Sequence, residues 1–367
     1  MGEQKPQLEY KTPWRTFLVP LHQKNKLYVL LRAFASRYTY AQIKFYSNEL
    51  QDALEKLFSK ERFDVIWVNF LDMATYLLKI KTSNWKHSLL ILDQHNLDES
   101  VWNSFLKSHI NPVWKLFALW EVIKVKQLQA RYLPVFDIIL SVSKDDIKAT
   151  QPYINTHTQV WLTPNGADTR YFKSASSLRK NCPNPRVVFG GAMDVTMNQD
   201  GVLWFIKKVY PLVHKKIPSI QFWIVGRNPP LKIQRLNKIP GVHVTGTICD
   251  VRDYYAHADV FIVPVRLGGG TKLKTLEAMA MALPIVSTPT GVQGLQALSG
   301  KHLYIANDAE TFANRIIELI RDREKAMVMG KEARYFVEKH NSWDAIVNNT
   351  EKKLLEFIKK KHTYNIH

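Results

Sequence analysis

The sequence predicts an α/β protein made of two doubly wound, Rossmann-like domains that face a cleft. Three observations carry this prediction. Short, continuous apolar runs recur between helical patterns, as parallel strands covered on both faces require. The chain has 367 residues, more than one hydrophobic core normally supports. A polar, proline-bearing stretch, Ser174-Ala-Ser-Ser-Leu-Arg-Lys-Asn-Cys-Pro-Asn-Pro, separates two runs of strand–helix alternation.

In the first half, Asp64-Val-Ile-Trp-Val-Asn-Phe, Ser88-Leu-Leu-Ile-Leu-Asp and Asp137-Ile-Ile-Leu-Ser-Val-Ser read as buried strands. Helical patterns at roughly 48–59, 72–80 and 99–132 lie between and around them. The second half supplies six strand candidates: Arg186 to Phe189, Ile220 to Val225, Val242 to Thr245, Asp259 to Val263, Pro284 to Ser287 and Leu303 to Ala306. Val202, Phe205, Ile206, Val209 and Val213 mark one face of an intervening helix. The expected division is an N-terminal domain over 1–165, a hinge and linker over 166–185, a C-terminal domain over 186–341, and a last helix with a basic tail over 342–367.

Composition narrows the function classes. Hydrophobic content of 46% and ten tryptophans suit large cores, and only Cys182 and Cys249 are present, so no disulfide framework is expected and a reducing cytoplasm is. No apolar run reaches the ~18–20 residues that span a bilayer, and no signal-peptide pattern opens the chain. The formal charge of +19 suits phosphorylated substrates or an anionic membrane surface. Nucleic acid is set aside, because no helix-turn-helix, zinc-finger or RNA-binding signature accompanies the charge. Trp114-Lys-Leu-Phe-Ala-Leu-Trp-Glu-Val-Ile-Lys-Val-Lys-Gln-Leu is read first as a core-packed helix with snorkelling lysines. An interfacial helix at the inner face of a membrane is its alternative.

The richest segment runs from Val263 to Ala280. A buried strand leads into Gly268, Gly269 and Gly270, then into a helix carrying Lys272, Lys274 and Glu277. Glycines let the backbone come close to a ligand, and a helix N-terminus offers N–H groups backed by the helix dipole. Lysines in a first helical turn oppose that dipole, which points to an anion nearby, and Glu277 can accept hydrogen bonds from sugar hydroxyls. The spacing is neither a P-loop nor G-x-G-x-x-G, and close helix–strand packing would also call for glycine.

Four motifs in order resemble those of the donor-binding domain of retaining, GT-B-fold glycosyltransferases of the glycogen-synthase-like group 1 type. Thr163-Pro-Asn-Gly-Ala-Asp-Thr-Arg-Tyr-Phe resembles the hinge signature. Phe189-Gly-Gly-Ala-Met-Asp with Asn198-Gln-Asp-Gly-Val resembles the first strand, loop and helix. Ile224-Val-Gly-Arg-Asn-Pro and Val244-Thr-Gly-Thr-Ile-Cys-Asp-Val resemble the turns around the base, and the triple-glycine segment resembles the diphosphate and sugar turn. Together they cover about 163–340; Leu92-Asp-Gln-His-Asn and Leu140-Ser-Val-Ser-Lys-Asp-Asp resemble N-terminal-domain motifs less specifically.

The resemblance implies transfer of a sugar from a nucleotide-diphosphate donor, with retention, to a glycan or lipid-linked acceptor in polysaccharide or envelope glycan synthesis. On it, Lys272, Glu277 and His95 are the expected catalytic residues. Lys272 would stabilise the leaving diphosphate, Glu277 would hold ribose or donor-sugar hydroxyls, and His95 would orient the reacting sugar or take a proton. Gly191, Asn198, Arg227, Thr247, Ile248, Asp250, Gly268, Gly269, Gly270, Thr271, Leu273 and Lys274 are the expected donor-binding residues, with Asp194 as a further contact. The resemblance implies neither metal nor cofactor, and no Asp-x-Asp pair stands at the diphosphate turn.

Two departures qualify it. The family's Glu-x7-Glu would place its first glutamate at Gly269, so only Glu277 remains. No glycine lies between Gly2 and Gly166, whereas such enzymes begin with a strand, a Gly-rich loop and a helix; the first βα unit or two are expected to be missing. The opening, from Tyr10 onward, resembles a segment that usually follows them. Three readings therefore stay open: a transferase, a catalytically impaired nucleotide-sugar-binding subunit whose partner completes the N-terminal domain, and a nucleotide-sugar epimerase of the same fold.

Overall fold

The structure is a computed structural model that describes residues 16–22, 24–95, 99, 102, 103, 106, 111–174, 184–268 and 270–364. Tyr10 to Arg15, Gly269 and residues 175–183 of the expected linker lie outside the described residues. Two parallel sheets organise the rest. The first comprises β1 (Val65–Asn69), β2 (Leu89–Gln94), β3 (Ile138–Ser141) and β4 (Gln159–Leu162), in that order. The second comprises β5 (Arg186–Gly190), β6 (Gln221–Val225), β7 (Val242–Val244), β8 (Val260–Val263), β9 (Ile285–Ser287) and β10 (Tyr304–Ile305).

Strand order in the second sheet is β10-β9-β8-β5-β6-β7, with every pairing parallel. The order reverses between β5 and β8, which creates a crevice at the carboxyl ends of those two strands, the usual ligand position in open α/β sheets. β5 and β8 are buried nearly throughout because helices cover both faces, and Phe189, Phe222 and Phe261 anchor the core around them.

In the first sheet, Leu90 and Leu92 of β2 face one core, while Leu89 and Ile91 face another. The last helix, Trp343–Tyr364, covers that second face through Leu354, Phe357 and Ile358, and Phe357 meets Trp161 of β4 edge-on at 6.0 Å. The C-terminal helix thus packs on the N-terminal domain. The chain crosses between domains twice, side by side: Ala167 N donates to Asn341 O at 2.8 Å and Trp343 N to Ala167 O at 3.3 Å. A Cβ on Gly166 would sit 2.8 Å from the Trp343 ring, so only glycine fits this crossing.

Some expectations change. β4 was not among the expected strands; Gln159-Val-Trp-Leu is a short edge strand with only partly buried side chains, so its apolar signal is weak. The helices Lys26–Ala35 and Tyr40–Phe45 precede β1, and no strand precedes it among the described residues, leaving β1 at the sheet edge. The helix expected over 72–80 is a 3-10 turn, Leu71–Met73, followed by one α-turn, Ala74–Leu77. The long helix starts at Pro112 behind the Asn111 cap and ends at Tyr132.

That long helix differs from a core-packed one. Ala118, Val122, Val125 and Leu128 are buried, but Trp114, Leu116, Leu119, Trp120 and Ile123 are 51, 61, 48, 40 and 41% exposed. Glu121 and Lys124 are buried on its inner face and pair with each other. Glu121 accepts from Tyr40 N at 2.8 Å, and Lys124 donates to Ala33 O at 2.7 Å and Tyr38 O at 3.0 Å. A buried ion pair, each partner further hydrogen-bonded, ties the two N-terminal helices to the long one.

Candidate functional site

The crevice between β5 and β8 gathers six of the twelve expected donor-binding residues: Gly191, Asn198, Gly268, Gly270, Thr271 and Lys274. β5 ends in Gly190-Gly191. Gly191 has φ +151°, and a Cβ there would lie 2.5 Å from Lys274 Nζ. The backbone conformation favours glycine, and any side chain there would displace the Lys274 ammonium. The loop then enters the helix Thr196–Trp204, where Asn198 is fixed by donating to Ala192 O at 2.8 Å. Asn198 Oδ1 in turn accepts from Lys274 Nζ at 2.6 Å, and that ammonium lies 4.4 Å over the Phe189 ring.

Across the crevice, the chain leaving β8 turns at Gly268 and Gly270, with φ +95° and +71°. A Cβ on Gly268 would strike Met197 Sδ at 2.0 Å, so the turn packs directly on the helix after β5. The next helix, Leu273–Ala280, has Lys272 at its N-cap and no side-chain cap. Its first N–H groups are therefore left for another acceptor. Lys272 Nζ donates to Gly270 O at 3.0 Å. Thr271 Oγ1 is buried with no hydrogen-bond partner, a costly arrangement that a ligand oxygen would relieve.

The electrostatics follow from burial. Lys274 keeps some exposed side chain, but its ammonium end lies deep; burial, aided by repulsion from Lys272 and opposed by Glu277, pushes its pKa down to about 7. Burial lowers that of Lys272 to about 8. Burial raises that of Glu277, with Lys274 opposing. Two part-buried lysines at an uncapped helix start, Lys274 of them acted on by the Glu277 charge, make a site for a dianion, with Glu277 one turn inward to accept hydroxyl hydrogen bonds.

The remaining expected residues spread outward. Asn228 N donates to Thr247 Oγ1 at 3.3 Å and Asn228 Nδ2 to Asp194 Oδ2 at 3.2 Å, knitting together the loops after β5, β6 and β7. Arg227 is exposed in the β6 turn, and its carbonyl accepts from Met193 N at 2.8 Å. Ile248 is half-buried and Leu273 exposed. The Asp250 carboxylate is gripped by Arg252 Nε at 3.0 and 2.8 Å, which holds its pKa below the usual range, and Arg252 lies 3.7 Å over the Tyr171 ring. Any base contact there falls to the backbone around it rather than to that carboxylate.

On the N-terminal side, His95 follows the carboxyl end of β2, half-exposed, its ring 4.7 Å from Phe70 and Nε2 3.9 Å from Asp93. The carboxyl edges of the two sheets face each other: a Cβ on Gly294 would lie 2.7 Å from Thr271 Oγ1 and 3.4 Å from Ser143 Cβ of the loop after β3. Ser143 lies in the Leu140-Ser-Val-Ser-Lys-Asp-Asp motif but was not itself named as a site residue, and Gly294 was not singled out; its one signal was glycine in the turn after β9, where φ is +81°. Behind them a cavity of ≈ 640 Å³ opens between the domains, lined by Lys144, Gln296, His302 and His340 among others. Among the described residues no group of three or more His, Cys, Asp or Glu could hold a metal ion.

Residues 184–322 match the family model described as "Glycosyl transferases group 1". The chain is 30% identical over 250 residues, 66% of its length, to an uncharacterized 44.6 kDa protein in the cps region of Klebsiella pneumoniae, of which it covers 61%. It is 27% identical over 218 residues, 53% of its length, to a GDP-mannose-dependent α-(1-6)-phosphatidylinositol monomannoside mannosyltransferase of Mycobacterium tuberculosis, of which it covers 54%. The chain thus spans less than two thirds of these relatives. The solved sucrose-phosphate synthase of Thermosynechococcus elongatus superposes with a TM-score of 0.67 at 18% identity, covering 87% of this chain and 82% of that one. The fold is GT-B.

Proposed function

Residues 184–322 form a domain of the group 1 glycosyltransferase family, and from that premise we propose that the chain transfers a sugar from a nucleotide-diphosphate donor, with retention, to a glycan or lipid-linked acceptor in capsular or envelope polysaccharide synthesis. One observation carries the proposal: a pair of pKa-depressed lysines, an orphaned Thr271 hydroxyl and an uncapped helix start converge at the switch point of the second sheet. In the reaction the bond between the anomeric carbon and the diphosphate oxygen breaks while the acceptor hydroxyl oxygen bonds to that carbon and gives up its proton. Negative charge develops on the departing diphosphate, and Lys272 and Lys274 oppose it at fixed distance without reorganisation. Glu277 positions the donor through its hydroxyls, and His95 orients the sugar or takes the acceptor proton. No metal is assigned a role.

The test is nucleotide release from UDP-, GDP- and ADP-sugars without added metal, with the released or transferred sugar's anomeric configuration read by NMR. One nucleotide class should turn over with its configuration kept, and Lys272→Ala should lower the rate by about 10²-fold or more. A folded protein that releases no nucleotide from any donor contradicts transfer. Inverted product contradicts retention.

The surface supports peripheral attachment to an anionic membrane. Leu116, Leu119, Trp120 and Ile123 adjoin Phe34 around a shallow groove, Trp114 is exposed earlier on the same helix, and Leu27, Leu31 and Phe34 are 63, 63 and 59% exposed on the helix beside it. Lys26 and Arg32 on the helix Lys26–Ala35, Arg37 just after it and Lys115 on the long helix add positive charge to these segments. No helix among the described residues is long and apolar enough to cross a membrane. The end position of β1 in the first sheet, with no further strand beside it among the described residues, favours a second reading, in which a partner strand completes the N-terminal sheet and the chain alone binds donor without turnover.

A further inference from the structure

The N-terminal domain holds a second built pocket, of ≈ 510 Å³, between the helices Lys26–Ala35 and Tyr40–Phe45, the segment Tyr46 to Glu49, and Thr75 with Lys79. Three cations line it: Lys24, Arg32 and Lys79. Three aromatic rings line it as well, those of Tyr28, Tyr38 and Tyr46. Among the described residues no carboxylate pairs with any of the three cations. The one acid in the lining, Glu49, stands 3.6 Å from His22 instead.

The framework is fixed before any ligand arrives. Lys24 Nζ donates to Ile43 O and Tyr46 O, both at 2.6 Å, closing the carboxyl end of the Tyr40–Phe45 helix. Lys79 Nζ lies 3.8 Å over the Tyr46 ring, which stacks on Tyr76 at 5.2 Å, and the Tyr76 hydroxyl donates to Phe45 O and accepts from Ser47 N. These bonds account for Lys24 as a helix cap. They leave Arg32 and Lys79 as solvent-exposed cations aimed at the same concavity. Arg32 lies close enough to Lys24 to help lower its pKa, after burial. Like charges held together in this way are stabilised by an anion between them.

We propose that this pocket binds a phosphoryl group joined to a sugar, the phosphate held by Arg32, Lys79 and the remaining Lys24 N–H, the sugar ring laid against the tyrosine faces, as the acceptor's recognition element. Arginine's planar fork suits phosphate oxygens, and aromatic faces with polar rims suit the C–H and O–H mixture of a sugar ring. Thr75 and Asp72 tie the pocket to the loop after β1: Gln42 donates to Thr75 Oγ1 at 2.7 Å and Thr39 to Asp72 at 3.0 Å. Phe70, which begins that loop, packs on His95. The inference rests on the acceptor-side reading of the N-terminal domain. It specifies an acceptor that carries phosphate, either soluble or as a lipid headgroup.

The test is calorimetric titration in a Lys272→Ala background, so that a sugar phosphate entering the donor crevice does not report. The soluble probe is glucose 1-phosphate, with methyl glucoside as its neutral counterpart. The lipid probe is phosphatidylcholine vesicles containing phosphatidylinositol, against vesicles with equal phosphatidylglycerol. Glucose 1-phosphate, or phosphatidylinositol over phosphatidylglycerol, should bind at least tenfold more tightly than its control. Arg32→Ala and Lys79→Ala, both at exposed positions, should each cost about tenfold, and Arg32→Lys should restore part of the loss. Nucleotide-sugar binding to Arg32→Ala in an otherwise wild-type chain should be unchanged, which separates this pocket from the donor site. Equal affinity for probe and control, or binding indifferent to both substitutions, overturns the proposal even where the donor site holds.

Discussion

Lys274 is where a single residue's chemistry decides behaviour. With its pKa near 7 and that of Lys272 near 8, the free protein sheds positive charge from the crevice as pH rises through that range. A bound diphosphate favours the charged ammoniums and so raises both pKa values. Binding therefore takes up protons, and affinity is greatest below pH 7 and falls as pH climbs towards 9. The slope should reach about tenfold per pH unit for each proton taken up. Titrations with the turned-over nucleotide sugar at pH 6.5, 7.5 and 8.5 check this, and a flat profile would remove these two lysines from the diphosphate. The residue scale was also the most legible in sequence around this turn. Gly191, Asn198, Gly268, Gly270, Thr271, Lys272, Lys274 and Glu277 meet in one crevice because glycine and lysine at a strand–helix turn leave few other arrangements. Asp250 was named from the turn after β7, but the grip of Arg252 on its carboxylate and the Tyr171 ring under that guanidinium were not, since Tyr171 lies 81 positions from Arg252.

Among the elements, all six strands of the second sheet stand where their apolar runs placed them, because both faces of a central parallel strand must be buried and the sequence shows it. The signal fades at edges. β4 pairs on one side only, and its residues alternate too briefly to stand out. The helix Asn48–Lys60 stands where its pattern placed it, but Lys26–Ala35 was missed because its apolar residues point in two directions: Val29 and Ala33 are buried, while Leu27, Leu31 and Phe34 are exposed. The long helix has the same divided character, with a buried Glu121–Lys124 pair on one side and tryptophans on the other. A periodicity argument alone cannot assign a helix that is apolar nearly all round. Its exposed face carries a direct expectation. Trp114→Glu with Trp120→Glu should cut co-sedimentation with phosphatidylglycerol-containing vesicles by about tenfold or more while leaving the thermal midpoint within a few degrees, since both side chains are 40% or more exposed and neither belongs to a core cluster. Undiminished sedimentation would assign that face another use.

At the scale of the whole molecule, two crossings bind the domains, and the last helix returns to cover the first sheet. The sequence suggested a last helix with a basic tail from Ser342; the helix forms, and the packing of Phe357 against Trp161 makes it part of the N-terminal core. Sequence order alone carries no information about such a return. Removing residues 343–367 should bare Leu89, Ile91, Ile138 and Leu140 and lower stability by several kcal/mol, at about 1.5–3 kcal/mol for each large side chain fully uncovered. Chemical denaturation of the truncated chain measures this, and an unchanged midpoint would mean that the helix adds nothing to that core.

The central claim is that the crevice between β5 and β8 binds a nucleotide sugar, with Glu277 reading the donor's hydroxyls. Calorimetric titration of the metal-free wild type and of Glu277→Ala with UDP-, GDP- and ADP-sugars tests it most directly. The account predicts that one nucleotide class binds the wild type and that the substitution removes most of the hydroxyl-dependent affinity, roughly 1.5–3 kcal/mol for hydrogen bonds to a charged group. Absence of binding by every nucleotide sugar to a folded wild type, or full binding by Glu277→Ala, would contradict it.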